Sequence, residues 1–581
     1  MERGIGIGRD AWGAVLLAAL LSAAWTWMGW ADLRYLTLPD SDDAMRLAQI
    51  RDLLAGQGFN DWTQYRLAPP VGAPMHWSRI NDLIPAAMIA LGTPLFGRFA
   101  AELGTVILYP AMLFAAALFL AARIARAIGP AQGAVVAILI ALLAYPAMSL
   151  FRPGRIDHHA LQIVLVQLAI LAAVVPPGVR SGLAAGCALA LGFGIGLEAA
   201  PQSAALIAAL VLIWVAGRDN EHRRLLGLGA GLAAPTLAML ALMRPTLWSS
   251  QWCDGFTPAS TTAAIAGGVT LMLLAVAHPH LRGWRWRLAA ALVLGALLAA
   301  ALLAAYPDCV SGPYGPMDPF LRHAIVDHVT EAQGPFDAPS LAAALPPVGM
   351  TFAAAIAGAW LWWRRRDDRA RLAPVVAVVG ASAVIALSQV RGAYIGSAAA
   401  APLLAQLVIG ARTLPGARRL PALVGAWLVS AGIAWVVLPS LLAPDRSAPP
   451  PGVGTTGDCR AGDLWRQFDG YPSGVTMAPI DHGARILAGT RHSTIAASYH
   501  RNNAGNRAMY AFFLSDPARA RRIAARWRVR YVLLCPTDFA ELDAARAYPR
   551  SLAVDLQAGR VPGWLQPLPL RGTAMALYRV R

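Results

Sequence analysis

Four short segments carry side chains whose types and spacing suit chemistry at a phosphate. The run Asp40-Ser41-Asp42-Asp43 sets three carboxylates ahead of an amphipathic stretch that reaches Leu54. Helix capping accounts for one or two of them, because the free amide N–H groups of a helix N-terminus stabilise an acid. It accounts poorly for three. In Arg152-Pro153-Gly154-Arg155-Ile156-Asp157-His158-His159, Asp157 and His159 lie two apart, so an extended loop would point both to one side. A carboxylate beside an imidazole suits a divalent cation such as Mn²⁺ or Mg²⁺. The competing reading is a solvated loop that caps the apolar run after it. Glu331, in Asp327-His328-Val329-Thr330-Glu331-Ala332-Gln333, falls in a long segment with little patterning, and such segments are more often functional than packed. Arg391 stands at the end of an apolar run, in Ser388-Gln389-Val390-Arg391. A guanidinium fork there fits a phosphate, and a lipid headgroup is the plainer partner.

Membrane helices must position these groups. The chain has 581 residues, 57% of them hydrophobic and 14% charged, with mean hydropathy +0.50. A soluble protein carries about a quarter charged residues. Apolar runs near the length of a bilayer crossing recur at 12–30, 101–122, 131–150, 159–176, 181–198, 200–216, 225–243, 261–278, 288–306, 346–363, 373–389, 394–411 and 421–443. That makes about thirteen spans. A further apolar stretch, 83–96, is short and holds Pro85 and Pro94, which fits a re-entrant or interfacial helix. The basic residues support this. Arg123 and Arg126, Arg180, Arg218, Arg223 and Arg224, the cluster 282–287, Arg364 to Arg366, and Arg412 to Arg419 fill every second loop. With the N-terminus inside, that alternation follows the positive-inside bias only if 83–96 does not cross. All four polar segments then lie outside, and an odd number of spans places the C-terminal tail with them.

The expected fold is an α-helical polytopic membrane protein followed by a periplasmic α/β domain. Residues 1–443 form the transmembrane part, with outer loops at 31–100 and 307–345. A Pro/Gly-rich linker covers 444–457, and the tail covers 458–581. In the tail, Arg485-Ile486-Leu487-Ala488 and 529–534 read as buried strands, and 516–527 reads as an Arg- and Ala-rich helix.

The formal charge is +17, and Arg supplies all of the Lys+Arg total because the chain has no Lys. The Arg clusters fall between apolar runs rather than along one face. That excludes a nucleic-acid surface and marks cytoplasmic loops. The N-terminal apolar run has no clear small-residue cleavage site before Asp32, so it reads as a retained first span. Of the five Cys, Cys187 lies in an apolar run, Cys253 and Cys309 in polar loops, and Cys459 and Cys535 in the tail. A Cys459–Cys535 disulfide fits an oxidising compartment.

Taken in order, the four segments resemble the catalytic subunits of oligosaccharyltransferases, within the GT-C class of membrane glycosyltransferases. Asp42-Asp43 followed by a helix that ends Gly58-Phe59 is similar to the family's acidic first-loop motif, and the stretch from Tyr65 through Trp77 to Pro85 is similar to its continuation. Asp157-His158-His159 resembles the archaeal form of the second acidic motif. Val329-Thr330-Glu331 resembles the Ser/Thr–Glu pair of the long outer loop, and Arg391 the donor-phosphate arginine. The resemblance covers about residues 10–443. One motif departs from it: the family's Trp-Trp-Asp-Tyr-Gly acceptor motif is missing, and Leu464-Trp465 through Asp469-Gly470-Tyr471 is a distant echo.

The resemblance implies an inner-membrane enzyme that moves a sugar or oligosaccharide from a polyprenyl (pyro)phosphate donor to a periplasmic lipid, polysaccharide or protein acceptor. Asp43, Asp157 and His159 would hold the divalent cation, with Asp42 or Asp40 in place of Asp43 if the register differs. Asp42 or Asp43 would take the acceptor's proton, Arg391 would bind the donor phosphate, and Glu331 would close the long loop. The missing motif ranks a lipid or glycan acceptor above protein Asn. Two readings from other classes remain: a lipid-linked glycan transporter, and a non-catalytic envelope-assembly protein. Transporters place charge near the bilayer midplane, whereas here the acids lie in outer loops.

Overall fold

The structure is a computed structural model that describes residues 2–442, 459 and 462–581. The expected linker, 444–457, lies outside the described residues. The chain is a multi-pass membrane protein. Among the described residues, eight helices are long and apolar enough to cross a membrane, or nine if the pair Gly416–Ser430 and Ala434–Leu441, bent by 99°, is one span. Four expected spans are shorter than read from sequence: Gly133–Leu142, His159–Val174, Val179–Ile195 and Ala200–Val215.

Contacts between loops define two ends. At one end, Asp10 binds Arg126 and Arg123, Arg365 reaches Ile128 O and Gln406, and Arg218 reaches Asp367 O. These are the Arg-rich loops. At the other end, Asp40 meets Arg155, Asp254 meets Arg501, and the Arg391 amide N–H donates to Glu331 O. Of the four short helices, the first, Gly133–Leu142, has 10 residues and is continued by a separate helical turn, Ala147–Phe151. The helix Ile80–Phe96 does not run from one end to the other. Asp82 at its start pairs with Arg46, and Glu102, just past its end, pairs with Arg51; both arginines lie on the helix Ser41–Leu54. Both ends of this apolar helix therefore face the same loop helix, as the Arg alternation requires.

Small residues allow the bundle to close. A Cβ on Gly186 would sit 2.4 Å from Leu228 O, so helices Val179–Ile195 and Glu221–Met243 touch backbone to backbone there.

The tail is a five-stranded sheet flanked by helices. After a two-stranded ribbon in the first loop, β1 (Thr63–Gln64) and β2 (Ala73–Pro74), the tail strands are β3 (Val475–Met477), β4 (Ser493–Thr494), β5 (Val529–Leu534), β6 (Leu565–Leu568) and β7 (Ala576–Val580), in the order β4-β3-β5-β7-β6. β3 runs parallel to β4 and β5, while β7 is antiparallel to β5 and β6. The expected strand at 529–534 and helix at 516–527 are present, the latter as Pro517–Arg526 capped by Asp516. The stretch Arg485-Ile486-Leu487-Ala488 is a correction: it lies in the helix Ile480–Gly489, not in a strand. A short apolar run does not separate the two by periodicity. Here Ala484, Leu487 and Ala488 pack on Ala44, Met45 and Ala48 of the first-loop helix, a helical spacing set by its partner.

Tail and outer loops share cores. Leu67, Met75 and Trp77 of the first loop join that same cluster, and Leu321, Ala324 and Ile325 of the long loop pack with Tyr510 and Phe513 of the tail. The Ala68 amide N–H donates to Thr494 O at 2.8 Å and the Thr494 N–H to Arg66 O at 2.9 Å, which lays the first loop along the edge strand β4. The Cys459–Cys535 disulfide is formed. A second, Cys253–Cys309, ties the loop 244–257 to the long loop. Cys187 is free.

Candidate active site

The helix Ser41–Leu54 starts where Asp40 caps it, its Oδ1 accepting the Asp42 N–H at 3.2 Å. That places Asp42 and Asp43 in the first turn, where the helix dipole favours acids. The helix is fixed from below by a buried network. Arg46 donates to Asp82 at 3.1 Å and to Ser78 O, Arg79 lies 3.6 Å from Asp82, and the Trp77 ring stacks on Arg46. Paired and hydrogen-bonded charges of this kind tolerate burial.

Residues 152–158 come up to this turn from a different pair of helices. Gly154 has φ +91°, and a Cβ there would lie 2.8 Å from Pro39 Cδ, so only glycine lets the loop pass beside Asp40. The Ile156 and Asp157 amide N–H groups both donate to Asp43 Oδ1, at 2.8 and 2.9 Å. Asn81 donates to Ile156 O at 3.0 Å. The segment is not extended, as the sequence reading supposed. His158 has helical angles, and Asp157 Oδ1 accepts the His159 N–H at 3.1 Å at the start of helix His159–Val174. Asp157 Oδ2 lies 3.2 Å from His159 Nδ1. Capping and clustering, set against each other in the sequence, both occur.

Arg155 was given no role by sequence, yet it sits at the centre. Its guanidinium lies 2.8 Å from Asp40, 3.3 Å from Asp43 and 2.6 Å from Asp157. Three carboxylates thus surround one positive charge. Burial opposes ionisation of Asp157, but Arg155 and His159 outweigh it and hold the carboxyl below the usual range. Asp42 goes the other way: desolvation, with Asp40 and Asp157 close by, pushes it up to about 7.

The expected ligands Asp43, Asp157 and His159 therefore share one wall. Among the described residues, however, no group of three or more His, Cys, Asp or Glu is gathered as a metal site, because Arg155 stands between the carboxylates. The donor set itself fits a cation. Asp43 Oδ2 is buried without a hydrogen-bond partner, and two carboxylates with an imidazole match hard divalent ions.

Glu331 and Arg391 reach the same neighbourhood. Tyr394 donates to Glu331 Oε2 at 3.1 Å, and its ring meets His159 edge-on at 5.9 Å. The Arg391 and Val390 amide N–H groups donate to Glu331 O and Gln333 O, which clips the long loop to the N-terminus of helix Gly392–Arg412. The Arg391 side chain donates to Gln389 at 2.9 Å and to Tyr314 at 3.4 Å, and has no carboxylate partner among the described residues. Glu198, expected inside a span, lies in the loop after Ile195. Its carboxylate is 3.1 Å from His158 Nε2 and accepts from Gln162 at 2.9 Å. A lone acid between apolar runs was the signal that could have found it.

From the tail, Tyr499 donates to Ser41 O, and Asp254 pairs with both His500 and Arg501. Asn503 bonds the long loop at Pro316 O and Asp318 N. The polar run 499–503 is thus a structured tie between the tail and the outer loops. The echo at 464–471 is core packing: Leu464, Trp465 and Phe468 are buried. A separate cavity of about 700 Å³, lined by Asn60, Arg244, Trp248, Thr262 and Tyr306 among others, holds no carboxylate.

The fold that carries these groups, a membrane helix bundle followed by a sheet domain, is one that solved structures share. The archaeal oligosaccharyltransferase AglB of Archaeoglobus fulgidus, in complex with an inhibitory peptide and a dolichol-phosphate, matches with TM-score 0.65 at 14% identity, over 98% of this chain and 74% of that one. The chain has the GT-C fold of the oligosaccharyltransferases. The A. fulgidus enzyme tethered to an acceptor peptide containing the NVT sequon matches at TM-score 0.64 and 15% identity, and its complex with Zn and sulfate at 0.64 and 16%. These cover the same 98% of the chain and 74% and 73% of the solved structures. No protein-family model matches this GT-C chain, and no curated protein matches it significantly.

Proposed function

We propose that the protein is a membrane glycosyltransferase that transfers a sugar or oligosaccharide from a polyprenyl (pyro)phosphate to an acceptor outside the membrane. The observation that carries this reading is the convergence of Asp43, Asp157, His159, Glu331 and Arg391, from four separate segments, at one end of a GT-C bundle. When bound by Asp43, Asp157 and His159, a divalent cation, Mn²⁺ or Mg²⁺, would supply Lewis-acid neutralisation of the departing phosphate. Arg391 binds that phosphate through its guanidinium fork. Asp42, poised near neutrality, takes the acceptor's proton. Glu331, held by Tyr394, closes the long loop over the acceptor.

The compartment follows from charge and redox state. The Arg-rich end faces the cytoplasm of a bacterial inner membrane. Both disulfides lie at the opposite end, which suits a periplasmic tail. The acceptor is a lipid or polysaccharide, because the segment that echoes the sequon motif is buried in the tail core. Protein Asn is the second reading, favoured by the likeness to an enzyme solved with an acceptor peptide.

The test is an assay of the full chain with synthetic polyprenyl-linked donors, with and without Mn²⁺, read by mass spectrometry against lipid, glycan and sequon-peptide acceptors. Transfer that depends on Mn²⁺ and disappears in Asp157→Ala is expected. Absence of transfer to every acceptor would overturn the reading.

A further inference from the structure

We infer that Arg155 is an internal competitor for the cation: its guanidinium occupies the carboxylate oxygens that a divalent ion needs and withdraws when one is bound. This rests on the cation use proposed above, and the geometry makes the competition direct. Asp43 Oδ1 is committed to the Ile156 and Asp157 amide N–H groups, and Asp157 Oδ1 to the His159 N–H. Each carboxylate has one oxygen left. In both cases that oxygen, Oδ2, faces Arg155, at 3.3 and 2.6 Å. A cation bridging Asp43 and Asp157 must take the same two atoms.

The arginine is held for this role and is free to leave it. Asp40, the third carboxylate on the guanidinium at 2.8 Å, is 44% exposed and enters the expected ligand set only as a substitute for Asp43. It gives Arg155 a partner at the rim of the cluster. Arg155 Nε is buried with no hydrogen-bond partner, so the side chain is not locked from behind. Asp43 Oδ2, fully buried, meets Arg155 at ion-pair distance without a hydrogen bond. That contact is the weakest of the three and the first to be given up.

Without a cation, Arg155 keeps three carboxylates from repelling one another and holds the two loops in register. Its positive charge also lowers cation affinity. A donor's phosphate, which attracts the guanidinium, relieves that competition, so cation and donor favour each other's binding.

Mn²⁺ binding to the full chain in nanodiscs, followed by electron paramagnetic resonance of the free ion, tests this without any turnover. R155Q should bind Mn²⁺ at least about tenfold more tightly than the native chain, the scale of a lost charge-assisted contact. R155K keeps the charge and loses the fork, and should bind Mn²⁺ more tightly than the native chain but less tightly than R155Q. It also covers the case in which R155Q does not fold. Asp157→Asn should abolish binding in either background. Equal or weaker Mn²⁺ binding in both Arg155 variants, or no binding in any of the proteins, would overturn the inference. Absence of glycosyl transfer alongside tightened Mn²⁺ binding would sink the transferase reading and leave this one standing.

Discussion

The two ends of the bundle solve opposite charge problems. At the Arg-rich end, the buried carboxylate of Asp10 is shared between two arginines: Arg126 grips both its oxygens at 2.6 and 2.7 Å, and Arg123 stands at 3.6 Å. At the other end, a single arginine is shared among three carboxylates. The first arrangement is closed, with every carboxylate oxygen satisfied. The second leaves the buried Asp43 Oδ2 without a hydrogen-bond donor. A closed pair holds helices together, whereas an open cluster keeps an oxygen available to a ligand.

The sharpest break of this contrast is substitution at the two ends. Asp43→Asn or Asp157→Asn should lower glycosyl transfer by roughly a thousandfold in membranes while the protein remains inserted. Asp10→Asn should leave turnover per inserted molecule near native. Equal losses at both ends would erase the distinction. Next in size, stripping divalent ions with a chelator should lower transfer by about a hundredfold or more, and Mn²⁺ or Mg²⁺ should restore it. Arg391→Gln should lower kcat/KM for the donor by about tenfold to a hundredfold, the worth of a charge-assisted phosphate contact.

Stability effects are smaller. Asp10→Asn should cost about 1–3 kcal/mol, read as a lower thermal midpoint. Smallest is a pH effect at the tail. Burial opposes ionisation of Asp254, but hydrogen bonds from His500 and Arg501 hold its carboxyl below the usual range. Its folded-state pKa is thus depressed. Its contribution is fully present above about pH 4, the unfolded value, and fades as pH falls further. Protection of the 499–503 segment from hydrogen exchange should weaken below that point in the native chain and be flat with pH in Asp254→Asn.

Much of this was legible from residue types. The alternation of Arg clusters separated the two ends of the bundle and set 83–96 apart from the spans, because loop charge is a local record of topology. The four motif segments do meet, and Cys459 does pair with Cys535. Other features were hidden for physical reasons. Arg155 looks like any loop arginine until the chain folds a carboxylate from residue 40 beside it. Glu198 reads as the end of an apolar run because helix ends are poorly marked in sequence. The Cys253–Cys309 bridge joins two loops with no local signal of proximity. The helix at Ile480–Gly489 owes its form to a partner more than 400 residues away, which no window of sequence contains.

That last contact has a consequence for how the molecule is made. Arg66 of the first loop bonds Thr490 O across 424 positions, and the first-loop helix buries Ala44, Met45 and Ala48 partly against the tail. During synthesis the acidic turn at residues 40–43 emerges early, and part of its helix stays uncovered until the final fifth of the polypeptide has been made. A ribosome that stops short of the tail releases a bundle whose acidic turn lacks part of its support, so the last residues made help to shape a wall built from the first.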